Sequence, residues 1–74
     1  MLQVDLKEPD EIIVQTISDQ CSRCGKVVSV KIHRNPTTFA LVEMANHMQT
    51  MELAGQFGGS TFGTSALIHL EQKT

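Results

Sequence analysis

Apolar and polar residues alternate over positions 2–6 (LQVDL), with Leu2, Val4 and Leu6 on one side and Gln3 and Asp5 on the other. That period of two marks a half-buried strand. Pro9, followed by Asp10 and Glu11, predicts a helix start, because proline suits a first turn and acids complement the positive end of the helix dipole. The period then changes. Ile13, Ile17, Cys21 and Cys24 recur at steps of three and four with Val14 alongside, which predicts an amphipathic helix closed by Gly25 as a left-handed cap. Residues 27–33 (VVSVKIH) read as a second strand, with Val30 and Ile32 inward and Ser29, Lys31 and His33 outward. Arg34-Asn35-Pro36-Thr37-Thr38 is a turn leading to a third strand, 39–44 (FALVEM), which splits into Ala40, Val42 and Met44 against Phe39, Leu41 and Glu43. Asn46 is suited to cap a second helix whose stripe Met48, Met51, Ala54 and Phe57 is expected in the core. Gly58-Gly59-Ser60 ends that helix. Residues 65–70 (SALIHL) form a last strand, with Ala66, Ile68 and Leu70 inward and Leu67 and His69 outward.

These elements in the order β-α-β-β-α-β predict an α+β fold of the ferredoxin-like kind. In that layout a four-stranded antiparallel sheet, in spatial order 4-1-3-2, carries both helices on one face and leaves the other open. The 74 residues suit one domain, 1–74, with no internal linker.

Composition narrows the chemistry. Apolar residues make up 41% and charged residues 19%, which fits a folded chain rather than a disordered one. The formal net charge of −2 argues against a binder that relies mainly on phosphate contacts. No apolar run approaches the roughly 20 residues of a membrane span, and the start lacks a basic then apolar leader, so a nuclear or cytoplasmic location is expected. Cys21 and Cys24 form a C-x-x-C pair, a spacing shared by redox and zinc sites. No second such pair completes a zinc site, and His33, His47 and His69 are scattered, so both cysteines are expected to pack as small apolar residues and no cofactor or metal is expected. Neither a nucleophile–base constellation nor a phosphate-cradling loop is present, which points away from an enzyme.

The run C-S-R-C-G-K-V-V-S-V-K-I, followed by R-N-P-T-T-F-A-L-V-E-M, resembles an RNA recognition motif. The family's octamer is matched by Thr37-Thr38-Phe39-Ala40-Leu41-Val42-Glu43-Met44, and Arg34 to Glu43 is similar to the hairpin of SR-type splicing factors. The resemblance implies a monomeric, non-catalytic module of a larger RNA-processing protein. It would bind single-stranded RNA with weak to moderate affinity through the open sheet face. Of the family's three stacking positions only Phe39 is aromatic here; the others hold Leu41 and Gln3, and Thr37 replaces the leading basic residue. Each lost platform removes about 1–3 kcal/mol of stacking.

On this reading Phe39 stacks a base, Leu41 and Leu67 make apolar contact, and Gln3 and His33 read base edges. Lys31 and Arg34 lie near phosphates, and His69 faces the same side. The first helix and G-S-T-F also resemble the splicing-factor variant of the motif that binds tryptophan-containing peptides. That likeness implies a protein or peptide partner held by Phe62, Asp19 and Glu11, although Ser60 stands where the variant has an arginine. The plainer reading of Phe62 is a plug over the helix–sheet core. A third class, a ferredoxin-like regulatory domain for a small ligand or metal, would show itself in reactive thiols or bound metal.

Overall fold

The computed structural model describes residues 1–34 and 37–73. Alternation at the start produces β1, Leu2–Val4, shorter than expected because the chain turns at Asp5, whose carbonyl accepts from the Glu8 N–H at 3.1 Å. Leu6 still packs against the core. Helix α1 spans Asp10–Cys21 and buries Ile13, Ile17 and Cys21. It ends earlier than the stripe suggested. Ser22 is the cap, and a tight turn with the Cys24 N–H on the Cys21 carbonyl (2.9 Å) carries Cys24 into the core. Gly25 follows at φ +151°, so it is a bend residue rather than the left-handed cap, and a side chain there would collide with Gln49.

β2 (Val27–His33) and β3 (Phe39–Met44) pair as an antiparallel hairpin, with a bulge between Val27 and Ser29 that leaves Val28 exposed. Of the turn expected between them, Asn35 and Pro36 lie outside the described residues. Helix α2, His47–Phe57, is capped as its sequence predicts: the Asn46 side chain accepts from the Gln49 N–H at 2.9 Å. Gly58, in the left-handed region at φ 72°, closes the other end, with the Gly59 N–H returning to the Ala54 carbonyl (2.9 Å) in a Schellman pattern.

The stripe of α2 is not the expected one. Thr50, Leu53 and Ala54 are buried and Phe57 is half-buried, whereas Met48 and Met51 are 81% and 56% exposed. Thr50 can face the core because its hydroxyl donates to the Asn46 carbonyl (2.9 Å), so no polar group is stranded.

Two short strand segments then replace the one expected. β4, Ser60–Phe62, turns through Gly63-Thr64 into β5, Ser65–Gln72. Gly63 takes φ +63° at the first loop position, as a two-residue hairpin requires. His47 Nδ1 lies 2.7 Å from the Gly63 carbonyl, tying this turn to the start of α2.

The expected sheet is therefore corrected in strand count, order and direction. Among the described residues it has five strands in the order β1-β5-β3-β2, with β4 also paired to β5, and it is mixed rather than antiparallel. The hairpin is the cause. By reversing the chain once more after α2, it makes β5 antiparallel to β3 and parallel to β1, so β5 enters between them. One edge of β5 is shared, with β4 along Ser65–Leu67 and β1 along Leu70–Gln72. The α+β class holds. One sheet face carries Leu2, Val4, Ala40, Val42, Met44, Ala66, Ile68 and Leu70 into a core shared with Ile13, Ile17 and Leu53 of the helices.

Candidate functional site

The sheet face turned away from the helices is the candidate site, and strand register arranges it in rows. Side chains paired across neighbouring strands share a face, and strands lie about 4.8 Å apart. The first row is His33–Phe39–His69 across β2, β3 and β5. The second is Lys31–Leu41–Leu67–Ser60, and the third is Ser29–Glu43–Ser65–Phe62. Beyond His69, Glu71 pairs with Gln3 of β1.

The first row is the chemically distinctive one. The rings of His33 and Phe39 stack, with centroids 4.9 Å apart and planes 15° from parallel. Imidazole thus covers one face of Phe39, and the other side of Phe39 in register is His69. His33, expected to stand free on the face, is thus stacked on Phe39, and three rings lie across three adjacent strands. Phe39, Leu41 and Leu67 are half-buried, forming an apolar floor, while His33, His69 and Lys31 are exposed around it.

The remaining expected residues divide. Gln3 is exposed on the open face, but β5 separates β1 from β3, so Gln3 neighbours Glu71 and not Phe39. Arg34 does not reach the face as expected. Its guanidinium pairs with Asp10 at 2.6 Å, at the start of α1, and contacts the Leu6 carbonyl at 3.4 Å. The Arg34 guanidinium is thus turned toward the start of α1, and Lys31 is the cation the strand phases leave on the face. Asp5, which the alternation put there, leaves the strand. Its carboxylate accepts from the Lys7 N–H (3.0 Å) and the Gln72 amide (3.2 Å), and these bonds, the Lys7 one first, hold its pKa below the usual value.

Phe62 is no core plug. It is 61% exposed on β4, paired with Ser65 and so on the open face. Asp19 and Glu11 are exposed on α1, in the helix layer on the opposite side of the sheet, and Asp19 accepts from Gln15 at 3.1 Å. The three residues of the peptide reading are thus not brought together. Glu71 lies beyond the strand expected over 65–70, on the same face, and continues the alternation Leu67, His69, Glu71.

Both cysteines are buried and unpaired. Burial first, and then the neighbouring Cys24, pushes the Cys21 thiol up to about 11. Burial, and then Glu52, also raises Cys24, whose Sγ lies 3.1 Å from Gln56 Oε1. Raised thiols are poor nucleophiles and poor metal ligands. Among the described residues, no three His, Cys, Asp or Glu side chains converge as a metal site would need, no concave pocket is present, and no helix is long and apolar enough to cross a membrane. No family model, curated protein or solved structure matches the chain.

Proposed function

We propose that this chain is a non-catalytic module, related to the RNA recognition motif and to the ferredoxin-like layout, that binds single-stranded RNA on its open sheet face within a nuclear or cytoplasmic RNA-processing protein. The observation that carries the reading is the His33–Phe39–His69 row over the Leu41–Leu67 floor. Unstacked bases bind by laying their rings on aromatic side chains, and a sheet presents such side chains at fixed spacing. Two rings already stacked lose less conformational freedom on binding, which offsets the scarcity of aromatic residues. Lys31 at the β2 margin of the face neutralises a phosphate, and Leu41 and Leu67 cover the sugar or base surface.

The test is titration with short single-stranded RNAs, following backbone amides by NMR and affinity by calorimetry. Shifts should centre on Phe39, His33 and His69. Phe39→Ala should weaken binding by about tenfold, from a stacking loss of roughly 1–3 kcal/mol per base. With Arg34 engaged by Asp10, the salt dependence should be shallow, about −0.7 in log K per log salt for one neutralised phosphate. Shifts confined to the helix layer would refute the reading.

A second reading, a peptide-binding module, is favoured by one feature: Phe62 stands exposed on this same face. Its site would then be the sheet and the β4–β5 hairpin rather than α1. Phe62→Ala would abolish peptide binding and leave an RNA titration centred on Phe39 unchanged.

A further inference from the structure

Beside the ring row, the open face carries groups that can recognise a base edge and not only a ring. Glu71 and Gln3 are register partners on β5 and β1, both exposed, two residues along β5 from His69. Residues i and i+2 of a strand lie about 6.7 Å apart on the same face. That is close to the distance from the centre of a stacked base to a hydrogen-bond partner beyond its edge. Among the described residues neither side chain makes a hydrogen bond or ion pair, in contrast to Asp5 and Gln72 nearby, which bond to one another.

Resting on the RNA reading above, we propose that Glu71, with Gln3, selects a guanine for the position stacked on His69. A carboxylate only accepts hydrogen bonds, and its two oxygens match two donors side by side. On its Watson–Crick edge guanine presents that pair, N1–H and N2–H, with the O6 acceptor next to them. Uracil's N3–H is flanked by two carbonyls, which repel a carboxylate. Adenine and cytosine each place a ring-nitrogen acceptor beside their amino group. The Gln3 amide N–H then donates to O6. On a chain of net charge −2, an unpaired carboxylate on an RNA-binding face opposes every phosphate. Glu71 therefore costs affinity unless it accepts base hydrogens, and unlike Glu43, two rows further from Phe39, it stands next to the ring row along β5.

The experiment measures binding of the tetranucleotides UUGU, UUAU, UUCU, UUUU and UUIU (I, inosine) to the wild-type chain and to Glu71→Gln. Both substituted positions are exposed, so folding is checked only by an unchanged amide spectrum. Wild type should favour UUGU over UUUU by about tenfold, with inosine, which lacks the N2 amino group, between them. Glu71→Gln should weaken UUGU and strengthen UUUU. These opposite signs are what loss of a base reader combined with loss of a repelling charge produces, and general destabilisation cannot give them. Gln3→Ala should lose part of the preference. Equal affinity for all five RNAs with shifts at Phe39 would overturn guanine selection while leaving the RNA reading intact. Absence of shifts at Phe39 with every RNA would overturn both.

Discussion

Replacing Gly59 by alanine tests the feature that sets this sheet apart, the β4–β5 hairpin. A Cβ on Gly59 would lie 2.2 Å from the Leu67 carbonyl oxygen, 3.2 Å from its carbon and 3.3 Å from Ile68 Cγ1. The first contact is with backbone, so no side-chain rotation relieves it; the strands must part by about 1 Å to reach an ordinary separation near 3.3 Å. β5 cannot move, being held along Ser65–His69 by β3. The three-residue β4 must yield, losing its pairing from Ser60↔Leu67 to Phe62↔Ser65. Overpacking costs about 1–3 kcal/mol, and the lost pairing places this case near the upper end. That is a large share of the roughly 4–11 kcal/mol expected for a chain this long. Urea denaturation followed by circular dichroism should show the unfolding free energy falling by that amount, with the midpoint moving down in proportion. Gly55→Ala, within α2, whose Cβ would point into open space, should instead stabilise by about 0.5–1 kcal/mol. If Gly59→Ala melts like wild type with the Leu67 and Phe62 amides unshifted, β4 does not pair as described.

Two further substitution sets follow from burial. Met48→Gln and Met51→Gln should each change stability by less than about 0.5 kcal/mol, whereas Leu53→Ala should cost about 2–5 kcal/mol; the reverse order in urea melts would put the buried stripe back on the methionines. Cys21, fully buried, has a folded pKa of about 11, above its unfolded value. Its contribution is therefore complete below the unfolded pKa and is lost as pH rises through about 11. Stability measured by urea melts from pH 7 to 10.5 should fall above about pH 9, and Cys21→Val should flatten that decline. Thiol-labelling that is fast at pH 7.5 in the folded chain would contradict the burial.

Local pattern specified much of this molecule. The bounds of β2 and β3 follow from β-branched alternation, and Asn46 and Gly58 cap α2 for reasons visible in their chemistry. Three features were beyond it. The run M-Q-T-M-E-L-A supports two helical stripes, and the choice of Thr50 over Met48 and Met51 depends on a hydroxyl satisfied within the helix. β4 is only three residues after a Gly-Gly pair, too short for a period to register. Strand order depends on chain direction, which the Gly63-Thr64 turn reverses. The same division holds for the site. Period two put Phe39, Leu41, Leu67, His69, Lys31 and His33 on one face, but neighbours across strands are tertiary. That is why the His33–Phe39 stack, the displacement of Gln3 and the capture of Arg34 by Asp10 emerge only with the fold.

The ring row and the core are two sides of one register. Phe39↔His69 alternates with Ala40↔Ile68, and Leu41↔Leu67 with Val42↔Ala66. A slip of β5 by one residue against β3 would turn His69 and Leu67 toward the helices and bring Ile68 and Ala66 into water. Ile68 and Ala66 are both fully buried, so the slip would expose apolar surface at about 25 cal/mol per Å² and bury an imidazole without a partner. The core side therefore fixes where the rings stand, and the rings need contribute little to stability to remain aligned. Under that constraint Phe39, His33, His69 and Glu71 are free to vary without disturbing the core, while the residues between them in sequence are held to the fold.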